Sequence, residues 1–521
     1  GAGTGEYRAS MADVDSQVAT AMGGGDQAKE CIKEKESLVD DVKDEKSNYP
    51  ELVSELRKSF AERQNGGNSY HWRQQQILAI KAMLVENKDK WTEALNVDLG
   101  RDSRESYFLE IAAVLGEIDE ALSNLKSWMK PQKQSTHLLS FPGSTYLYPE
   151  PLGVVLIISP WNYPLSLLLA PLVGAIAAGN NALLKPSEIS AATGKVFLEL
   201  VPKYLDTKCF ATRVTEPQET TEILKEKYDL IFFTGSTRVG KIIMRAAAEH
   251  LTPVILELGG KSPCWVSKDA DIKIAAKRIA WGKFTNCGQT CIAPDYILAH
   301  PDIERDLITE LKIAIKDMYS EDPKSSTDYG IVINKQRLNH LSSLLKQEGD
   351  KPSFTVECGG LDTVDEGARF MHPTILSNVD PKCAVMQEEI FGPILPILPC
   401  GGVSEAIDFI NARPKPLALY AFTKSNSSAT EMLEKTSSGG ATVNDTLMHV
   451  AGPLLKFGGV GDSGIGAYHG RNSFDAFTHM KPVLWKSIAI LENKNPRYPP
   501  FTDEKLAQLQ SVIRLASCAI M

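Results

Sequence analysis

Two cysteines lie four residues apart in the segment NCGQTCIAPD, residues 286–295. Cys287 and Cys291 could be half of a zinc site, a redox pair, or one nucleophile with an inert neighbour. A zinc site needs two further ligands, which no nearby Cys or His pair supplies at the usual spacing. A redox pair usually has two intervening residues, and a nucleophile needs oxyanion donors beside one thiol. Two inert thiols also fit, so this segment alone leaves the choice open.

A carboxylate at the end of an apolar segment is a second candidate for chemistry. Glu257 lies in TPVILELGGK, among isoleucine and leucine and shortly before two glycines. A buried carboxylate without a partner is costly, so such a residue is usually paired or has a task. The alternative is a glutamate at a strand end that faces solvent. The glycines are expected to clear space beside Glu257, which favours a functional site.

Two more segments have features of nucleotide-binding turns. FTGSTRVGK follows an apolar strand and opens a helix, with Gly235 and Gly240 five apart. Helix N-termini bind phosphate, and glycine allows a close approach, but the spacing matches neither the dinucleotide fingerprint nor the P-loop. An ordinary helix start therefore fits as well. In KPSE, Lys185 and Glu188 offer a cation and an acid to a ribose, or form a plain strand end.

The elements that must position these residues alternate along the chain. Residues 51–130 have apolar positions at helical spacing. The apolar stretch 154–185 is interrupted by Pro160 and Pro164, so its parts are too short to span a bilayer and fit a strand, a helix and a strand. A second series of helices and strands follows Gly259. Strands that alternate with helices predict parallel, doubly wound sheets, so we expect an α/β fold.

Composition limits the partners and the compartment. The 521 residues are 43% hydrophobic and 23% charged, with a net charge of −9 and a pI near 5.6, which argues against a nucleic-acid-binding surface. Nine irregularly spaced cysteines favour a reducing compartment. No secretory or transit segment is visible, so we expect a cytoplasmic protein. Residues 1–50 are rich in glycine and then in charge, which predicts disorder or a marginal solvated helix.

Seven motifs occur in one order between residues 160 and 464: PWNYP, KPSE, FTGSTRVGK, LELGGKSP, GQTC, EEIFGP and FGGVGDSG. Together they resemble the aldehyde dehydrogenase superfamily. The segments WGKFTNCGQTCIAPDYIL and VMQEEIFGPILPI are similar to its class-three branch, which includes fatty aldehyde dehydrogenases. The resemblance covers residues 51–500. It implies NAD(P)-dependent oxidation of medium- or long-chain aliphatic aldehydes to carboxylic acids, through a thiohemiacetal and a thioester and without a metal.

For the reaction, the resemblance implies three residues. Cys291 of GQTC would be the nucleophile, with Cys287 as its neighbour. Asn162 of PWNYP would donate its side-chain amide to the oxyanion, beside the backbone N–H of Cys291. Glu257 would activate the water that hydrolyses the thioester.

For the cofactor, the resemblance implies contacts from several motifs. They are Gly235, Ser236 and Gly240 in the phosphate turn, Lys185 and Glu188 near the adenosine ribose, and Glu389 and Phe391 near the nicotinamide ribose. Because Glu188 favours free ribose hydroxyls over a 2′-phosphate, NAD is the expected cofactor, and NADP use stays open.

The resemblance also implies the architecture: two doubly wound, Rossmann-like domains, one for the cofactor and one for catalysis, with a small β arm for oligomerisation. The predicted divisions are a disordered extension 1–50, N-terminal helices with the NAD-binding domain 51–258 and its arm 132–150, a catalytic domain 259–445, a bridging segment 446–500 and a tail 501–521. A homodimer is implied, held partly by the arm and residues near 475–490.

The given sequence ends in Cys518-Ala-Ile-Met, which fits the C-a-a-X prenylation pattern, with Met favouring farnesyl. A chance cysteine at this position is the alternative. One lipid binds a membrane weakly, so a second element is expected. A predicted helix supplies an apolar face: Leu506, Leu509, Val512, Ile513 and Ala516. We therefore expect peripheral attachment to the cytosolic face of a membrane.

Three other functions stay open at this point. An acylating relative would pass the acyl group to coenzyme A, but such relatives generally lack a base at Glu257. A catalytically idle binding or structural member of the fold is disfavoured because Cys291, Glu257 and Asn162 are all present. A zinc-site protein is the third and weakest alternative.

Overall fold

Among the residues that the structure describes, five helices precede the first strand. The computed structural model describes residues 48–65, 69–137, 140, 142–347, 352–486, 488 and 496–518, so the disorder predicted for residues 1–50 lies almost wholly outside the described residues. The helices are α1 Tyr49–Asn65, α2 Tyr70–Glu86, α3 Lys88–Leu99, α4 Ser103–Ser106 and α5 Ala112–Trp128, with a π-helical turn Tyr107–Ile111 before α5. Their apolar spacing is explained by burial, because Ile77, Trp91 and Ile118 are all fully buried.

Strands and helices then alternate up to Glu257. In chain order they are β1 Gln132–Gln134, β2 Gly143–Pro151, β3 Val154–Ile158, α6 Ser166–Ala178, β4 Asn181–Lys185, α7 Ala191–Tyr204, β5 Phe210–Thr212, α8 Pro217–Ile223, β6 Leu230–Thr234, α9 Thr237–Ala248 and β7 Val254–Glu257. Strands β3 to β7 are parallel and lie in the order β7-β6-β3-β4-β5. The order reverses at β3, and in such sheets ligands bind at the carboxyl ends of the strands beside the reversal.

A second sheet follows β7. Its elements are β8 Pro263–Val266, α10 Ile272–Phe284, β9 Tyr296–Ala299, α11 Pro301–Tyr319, α12 Lys335–Leu344, β10 Thr355–Cys358, β11 Thr374–Ser377, β12 Ile394–Pro399, α13 Val403–Asn411, β13 Ala418–Phe422, α14 Asn426–Lys435 and β14 Gly440–Val443. The strand order is β10-β11-β12-β9-β8-β13-β14, and only β10 is antiparallel to its neighbour. The two sheets are the doubly wound α/β architecture that the sequence predicts.

The last described elements pair with much earlier ones. They are β15 Gly464–Ile465, α15 Arg471–Ala476, β16 Thr478–Lys486 and α16 Asp503–Cys518. Strand β15 pairs antiparallel with β7 and becomes the sixth strand of the first sheet. Strand β16 pairs antiparallel with β2 along its nine residues, and β1 pairs with the other edge of β2. This three-stranded sheet contains the residues expected to form the arm.

The apolar stretch 154–185 is interior, as predicted. Strands β3 and β4 are buried at every position, and so are twelve of the thirteen residues of α6. Strands covered by helices on both faces are continuously apolar, which explains the run. Within the described ranges, no helix has both the length and the apolar character needed to cross a membrane.

Candidate active site

The two cysteines of NCGQTC differ in access to solvent. They lie at and after the 3-10 turn Thr285–Gly288, which follows α10. Cys287 is completely buried, its Sγ donates to the Tyr329 hydroxyl at 3.6 Å, and burial raises its pKa to about 12. Cys291 is partly exposed. A thiol that reacts with a substrate must be reached by it, so access favours Cys291.

The charge environment places two carboxylates around Cys291. Burial raises the pKa of the Cys291 thiol, and the charges of Glu389 and Glu257 raise it further. The backbone N–H groups of Cys291 and Ile292 act in the opposite direction, because they stabilise the thiolate. The charges of the predicted base and of the predicted nicotinamide-ribose residue thus both act on the predicted nucleophile.

Asn162 and the cysteine turn are joined by side-chain amides. Asn162 lies in the loop after β3 and is 2% exposed. Its Nδ2 donates to the Gln289 carbonyl oxygen at 3.0 Å. The Nδ2 of Asn286 donates to the same oxygen at 3.1 Å and to the Asn162 carbonyl oxygen at 2.9 Å. Two loops far apart in the chain are thus fixed to each other beside Cys291.

Glu257 is the last residue of β7 and is 1% exposed. Neither of its carboxyl oxygens has a hydrogen-bond partner among the described residues, and burial raises its pKa well above the ordinary value. Its backbone carbonyl accepts the Gly235 N–H at 3.0 Å, which ties the glycine turn to this strand end. An unpartnered buried carboxylate can take a proton from a water or a substrate.

The glycines after Glu257 make room for a different carboxylate. A Cβ atom on Gly259 would overlap the side-chain oxygens of Glu389, and a backbone N–H of Gly260 donates to that carboxylate. The expectation that these glycines clear space beside Glu257 stays a prediction. Burial, aided by the charge of Asp295, raises the pKa of Glu389 to about 8.

Phe391 packs beside the loop that carries Asn162. Its ring meets that of Trp161 edge to face, with centroids 5.3 Å apart. The backbone of Phe391 has a φ of +49°, a left-handed conformation that is uncommon for a bulky residue. The segment EEIFGP is thus held in contact with PWNYP.

The other predicted cofactor residues lie at the carboxyl edge of the first sheet. Lys185 Nζ and Glu188 Oε2 form an ion pair at 2.6 Å. Ser236 caps α9, because its hydroxyl accepts the Val239 N–H at 3.4 Å. A Cβ on Gly240 would lie 2.7 Å from Leu258 Cδ2, so this glycine lets α9 pack closely on the sheet.

Buried hydroxyls at the same edge have the chemistry to accept a polar ligand. Ser159, Thr212 and Thr234 lie at the carboxyl ends of β3, β5 and β6, and their hydroxyl oxygens are buried with no hydrogen-bond partner in the described part of the chain. Such groups are costly unless something binds them. A dinucleotide, with its ribose hydroxyls and phosphates, fits this edge. The described part of the chain contains no group of three or more His, Cys, Asp and Glu side chains that could hold a metal ion.

Several residues around the site were not identified from the sequence. Asn286 is one, and Glu110 is another: its carboxylate accepts the N–H groups of Leu165 and Ser166 at 2.8 and 3.0 Å, at the start of α6. A fully buried ion pair joins Glu110 to Arg101. The only signal for Glu110 was an acidic residue within an apolar helical pattern, which is also typical of an exposed helix face.

Comparison with known proteins identifies a family over most of the chain. The Aldehyde dehydrogenase family profile matches residues 46–483. The chain belongs to the aldehyde dehydrogenase family. Aldehyde dehydrogenase family 3 member A2 of Mus musculus is 48% identical over 455 residues, which are 87% of this chain and 92% of the relative. The dimeric NADP-preferring aldehyde dehydrogenase of Rattus norvegicus is 46% identical and covers 87% of this chain and 98% of its own.

Solved structures agree with this fold. A substrate-bound AldH of Staphylococcus aureus superposes with a TM-score of 0.85 at 40% identity, over 90% of this chain and all of that one. A betaine aldehyde dehydrogenase of the same organism, in complex with NAD+, has a TM-score of 0.75 at 26% identity. The predicted family, α/β fold and enzyme class are confirmed. This aldehyde dehydrogenase is an oxidoreductase that oxidises aldehydes with NAD(P).

Proposed function

We propose that Cys291 is the nucleophile of this aldehyde dehydrogenase, with Asn162 as the oxyanion donor and Glu257 as the base. One observation carries the assignment. The amide of Asn162 is hydrogen-bonded to the turn that precedes Cys291, the more accessible of the two thiols, while Glu257 is buried without a partner. These are the parts that covalent acyl transfer requires.

The chain's own residues then act in sequence. The Cys291 thiolate sulfur bonds to the carbonyl carbon, and the carbonyl π electrons move to oxygen, where the Asn162 amide stabilises the charge. NAD(P), when bound, supplies a hydride acceptor, and the acyl group remains on sulfur as a thioester. Glu257 takes a proton from a water whose oxygen attacks the acyl carbon. The C–S bond breaks, the carboxylic acid leaves and the sulfur departs as thiolate.

Loss of the oxyanion donor tests the assignment directly. In Asn162→Ala the turnover number should fall about 10²–10³-fold, the usual effect of removing one such donor. Dissociation constants for NAD should change little, because Asn162 acts on the substrate oxygen. Turnover close to that of the unmodified enzyme would exclude Asn162 from this role.

We propose that the cofactor lies across the carboxyl edge of the first sheet. Lys185 and Glu188 would hold the adenosine ribose, and Glu389 and Phe391 the nicotinamide ribose, with the phosphates at the start of α9, at Gly235, Ser236 and Gly240. The Glu188 carboxylate repels a 2′-phosphate, so NAD should bind more tightly than NADP. Titration of both cofactors should give a lower dissociation constant for NAD than for NADP. In Glu188→Gln the ratio of the two dissociation constants should be closer to one. An unchanged ratio would contradict the role of Glu188.

We propose medium- and long-chain aliphatic aldehydes as substrates. Support comes from the resemblance to the class-three branch and from relatives named as family 3 members. The test is a series of kcat/KM values for saturated aldehydes from two to sixteen carbons. The ratio should rise with chain length as each added methylene is buried. A maximum at the shortest aldehydes would overturn the proposal.

We propose that the enzyme is a homodimer that uses the three-stranded sheet. One relative is named as dimeric, and β16, an edge strand of this sheet, carries exposed apolar side chains on its two faces, with Trp485 61% exposed and Leu484 47% exposed. Exposed apolar strand residues at a sheet edge are typical of an interface. Light scattering should give a dimer mass, and Leu484→Glu with Trp485→Glu should shift it to the monomer. Ile313→Glu, on the exposed face of α11, is the matched control.

We propose that a chain whose carboxyl terminus is Met521 is prenylated at Cys518 and attaches to the cytosolic face of a membrane. The seven cysteines whose side chains the structure describes are free thiols, in keeping with a reducing compartment. Helix α16 leaves Leu506 and Ile513 more than half exposed, which gives the lipid an apolar companion. The enzyme should fractionate with membranes, and Cys518→Ser should be soluble. Equal fractionation of both forms would exclude the lipid anchor.

A further inference from the structure

The turn before Cys291 contains a buried asparagine that contacts both loops of the site. Asn286 is 1% exposed, and its Nδ2 lies 2.9 Å from the Asn162 carbonyl oxygen and 3.1 Å from the Gln289 carbonyl oxygen. Both neighbours are acceptors, so the amide nitrogen must face them. The side chain of Asn286 therefore links the loop that carries Asn162 to the turn that carries Cys291.

The same arrangement sets the direction of the Asn162 amide. One N–H of Asn162 donates to Gln289 O at 3.0 Å, and Asn286 donates to that same oxygen. With two donors, both lone pairs of Gln289 O are used. The second N–H of Asn162 is then left for an oxygen of the substrate, in an orientation fixed by the first.

The backbone of Asn286 is also unusual. It has φ 54° and ψ 32°, a left-handed conformation, and Cys287 repeats it. Asparagine is one of the few residues that adopt this conformation readily. The Asn286 N–H donates to Glu105 Oε1 at 3.1 Å, which anchors the turn to the helical region before the first sheet.

We infer that Asn286 is a positioning residue that fixes the Asn162 amide relative to the Cys291 sulfur. This rests on the proposed roles of Asn162 and Cys291. An oxyanion donor must lie about 2.7–3.1 Å from the oxygen that gains charge, and a displacement of about 1 Å can cost roughly 10²-fold in rate. Without the Asn286 amide, the loop after β3 keeps the side-chain hydrogen bonds from Asn162 to Gln289 and between Tyr163 and Thr290, but it loses the bond that holds its backbone at the Asn162 carbonyl oxygen.

The alternative is that Asn286 contributes only its left-handed backbone conformation and not its side-chain amide. The variant Asn286→Gly separates these two hypotheses. Glycine adopts this conformation freely, so the variant keeps the turn and removes the amide. It should lower kcat about 10–100-fold with little change in the aldehyde KM, because the lost interaction acts in the transition state. Full activity in Asn286→Gly would overturn the inference. Asn378→Gly is the matched control, because Asn378 is exposed and left-handed and its side chain donates to Thr355 Oγ1 at 3.3 Å, on the second sheet.

A double mutant tests whether Asn286 acts through Asn162. In an Asn162→Ala background, the further change Asn286→Gly should lower kcat by less than about 3-fold, because the amide that Asn286 positions is already gone. Full additivity of the two losses in kcat would overturn the inference.

Alkylation of Cys291 by iodoacetamide tests whether the turn itself has moved. This reaction needs no oxyanion donor, so its rate in Asn286→Gly should stay within about 3-fold of the rate in the unmodified enzyme. A large fall would indicate that the turn itself has moved, which also overturns it.

The two substitutions also distinguish a failure of the proposed role of Asn162 from a failure of the inference about Asn286. If Asn162→Ala alone retains turnover, the role of Asn162 is wrong and the positioning role falls with it. If Asn162→Ala is severely impaired and Asn286→Gly is not, only the inference about Asn286 fails.

Discussion

Two thiols of one segment are distinguished by their surroundings. Cys287 is sealed in the core against Tyr329, and Cys291 is partly exposed. Cys291→Ser should abolish NADH formation from aldehyde while NAD binding persists, because the alcohol is a far weaker nucleophile. Cys287→Ser should keep most activity, since its hydroxyl can still donate to Tyr329. The measurement is NADH absorbance with cofactor titration in parallel. Equal losses in the two variants would contradict the assignment.

Glu257 should make the enzyme both active and less stable. Burial raises its pKa well above the ordinary value, whereas the unfolded chain has an ordinary glutamate. Above that ordinary value the unfolded state releases this proton more readily, so the unpartnered carboxyl lowers stability as pH rises. The same loss of a proton supplies the base, so the rate of thioester hydrolysis should rise with pH.

Glu257→Gln tests both consequences together. The variant should have a higher melting temperature than the parent, by a margin that grows as the pH rises from about 5, just above the ordinary pKa of glutamate, to about 9. Its thioester hydrolysis should lose the pH-dependent rise. The measurements are thermal scans and single-turnover acid release across this range. A margin that shrinks with pH would show that Glu257 is not the buried, unpartnered acid.

The residues of the site were predictable only in part. Glu257 could be chosen from its apolar setting, but the choice between Cys287 and Cys291 needed the resemblance. Asn286 carries no sequence signal, because its role depends on a contact with Asn162, more than a hundred positions away. Side-chain amides that join distant loops are invisible to periodicity and spacing.

At the scale of elements, helices and strands with long apolar patterns were predicted well, and short elements without such patterns were not. The first strand predicted within residues 154–185 is β3 Val154–Ile158, and the helix predicted after it is α6 Ser166–Ala178. Strand β10 was not predicted, since Thr355 and Val356 are exposed at the sheet's edge and lack the apolar run of a covered strand. Elements that are covered on both faces are the ones that can be predicted from the sequence, because they are continuously apolar.

Helix α6 depends on a carboxylate from another element. The Glu110 side chain accepts two N–H groups at its start and pairs with Arg101, with both side chains fully buried. Glu110→Ala leaves a buried charge uncompensated, which typically costs about 3–5 kcal/mol. The melting temperature should fall by several degrees. In the control Glu150→Ala, which breaks the exposed pair with Lys481, it should barely change. Equal shifts would show that the buried pair adds no stability.

At the scale of the whole molecule, the segment 464–486 completes two sheets begun much earlier. It supplies β15 beside β7, β16 beside β2, and two fully buried aromatic side chains, Phe474 and Phe477. A chain that ends at Lys486 should fold and bind NAD. A chain that ends at Asp462 should not, because loss of each buried aromatic typically costs about 3–5 kcal/mol. Circular dichroism and NAD titration of both chains check this. A folded, NAD-binding shorter chain would contradict it.

The close fit between Gly259 and Glu389 constrains how this enzyme can vary over evolution. No side chain larger than hydrogen fits at position 259 while the Glu389 carboxylate occupies its present place. An alanine there becomes acceptable only after residue 389 has shortened or turned away, and that change would first alter the cofactor contact proposed for Glu389. The two positions, 130 residues apart, should therefore change together in descendants of this sequence or stay fixed together.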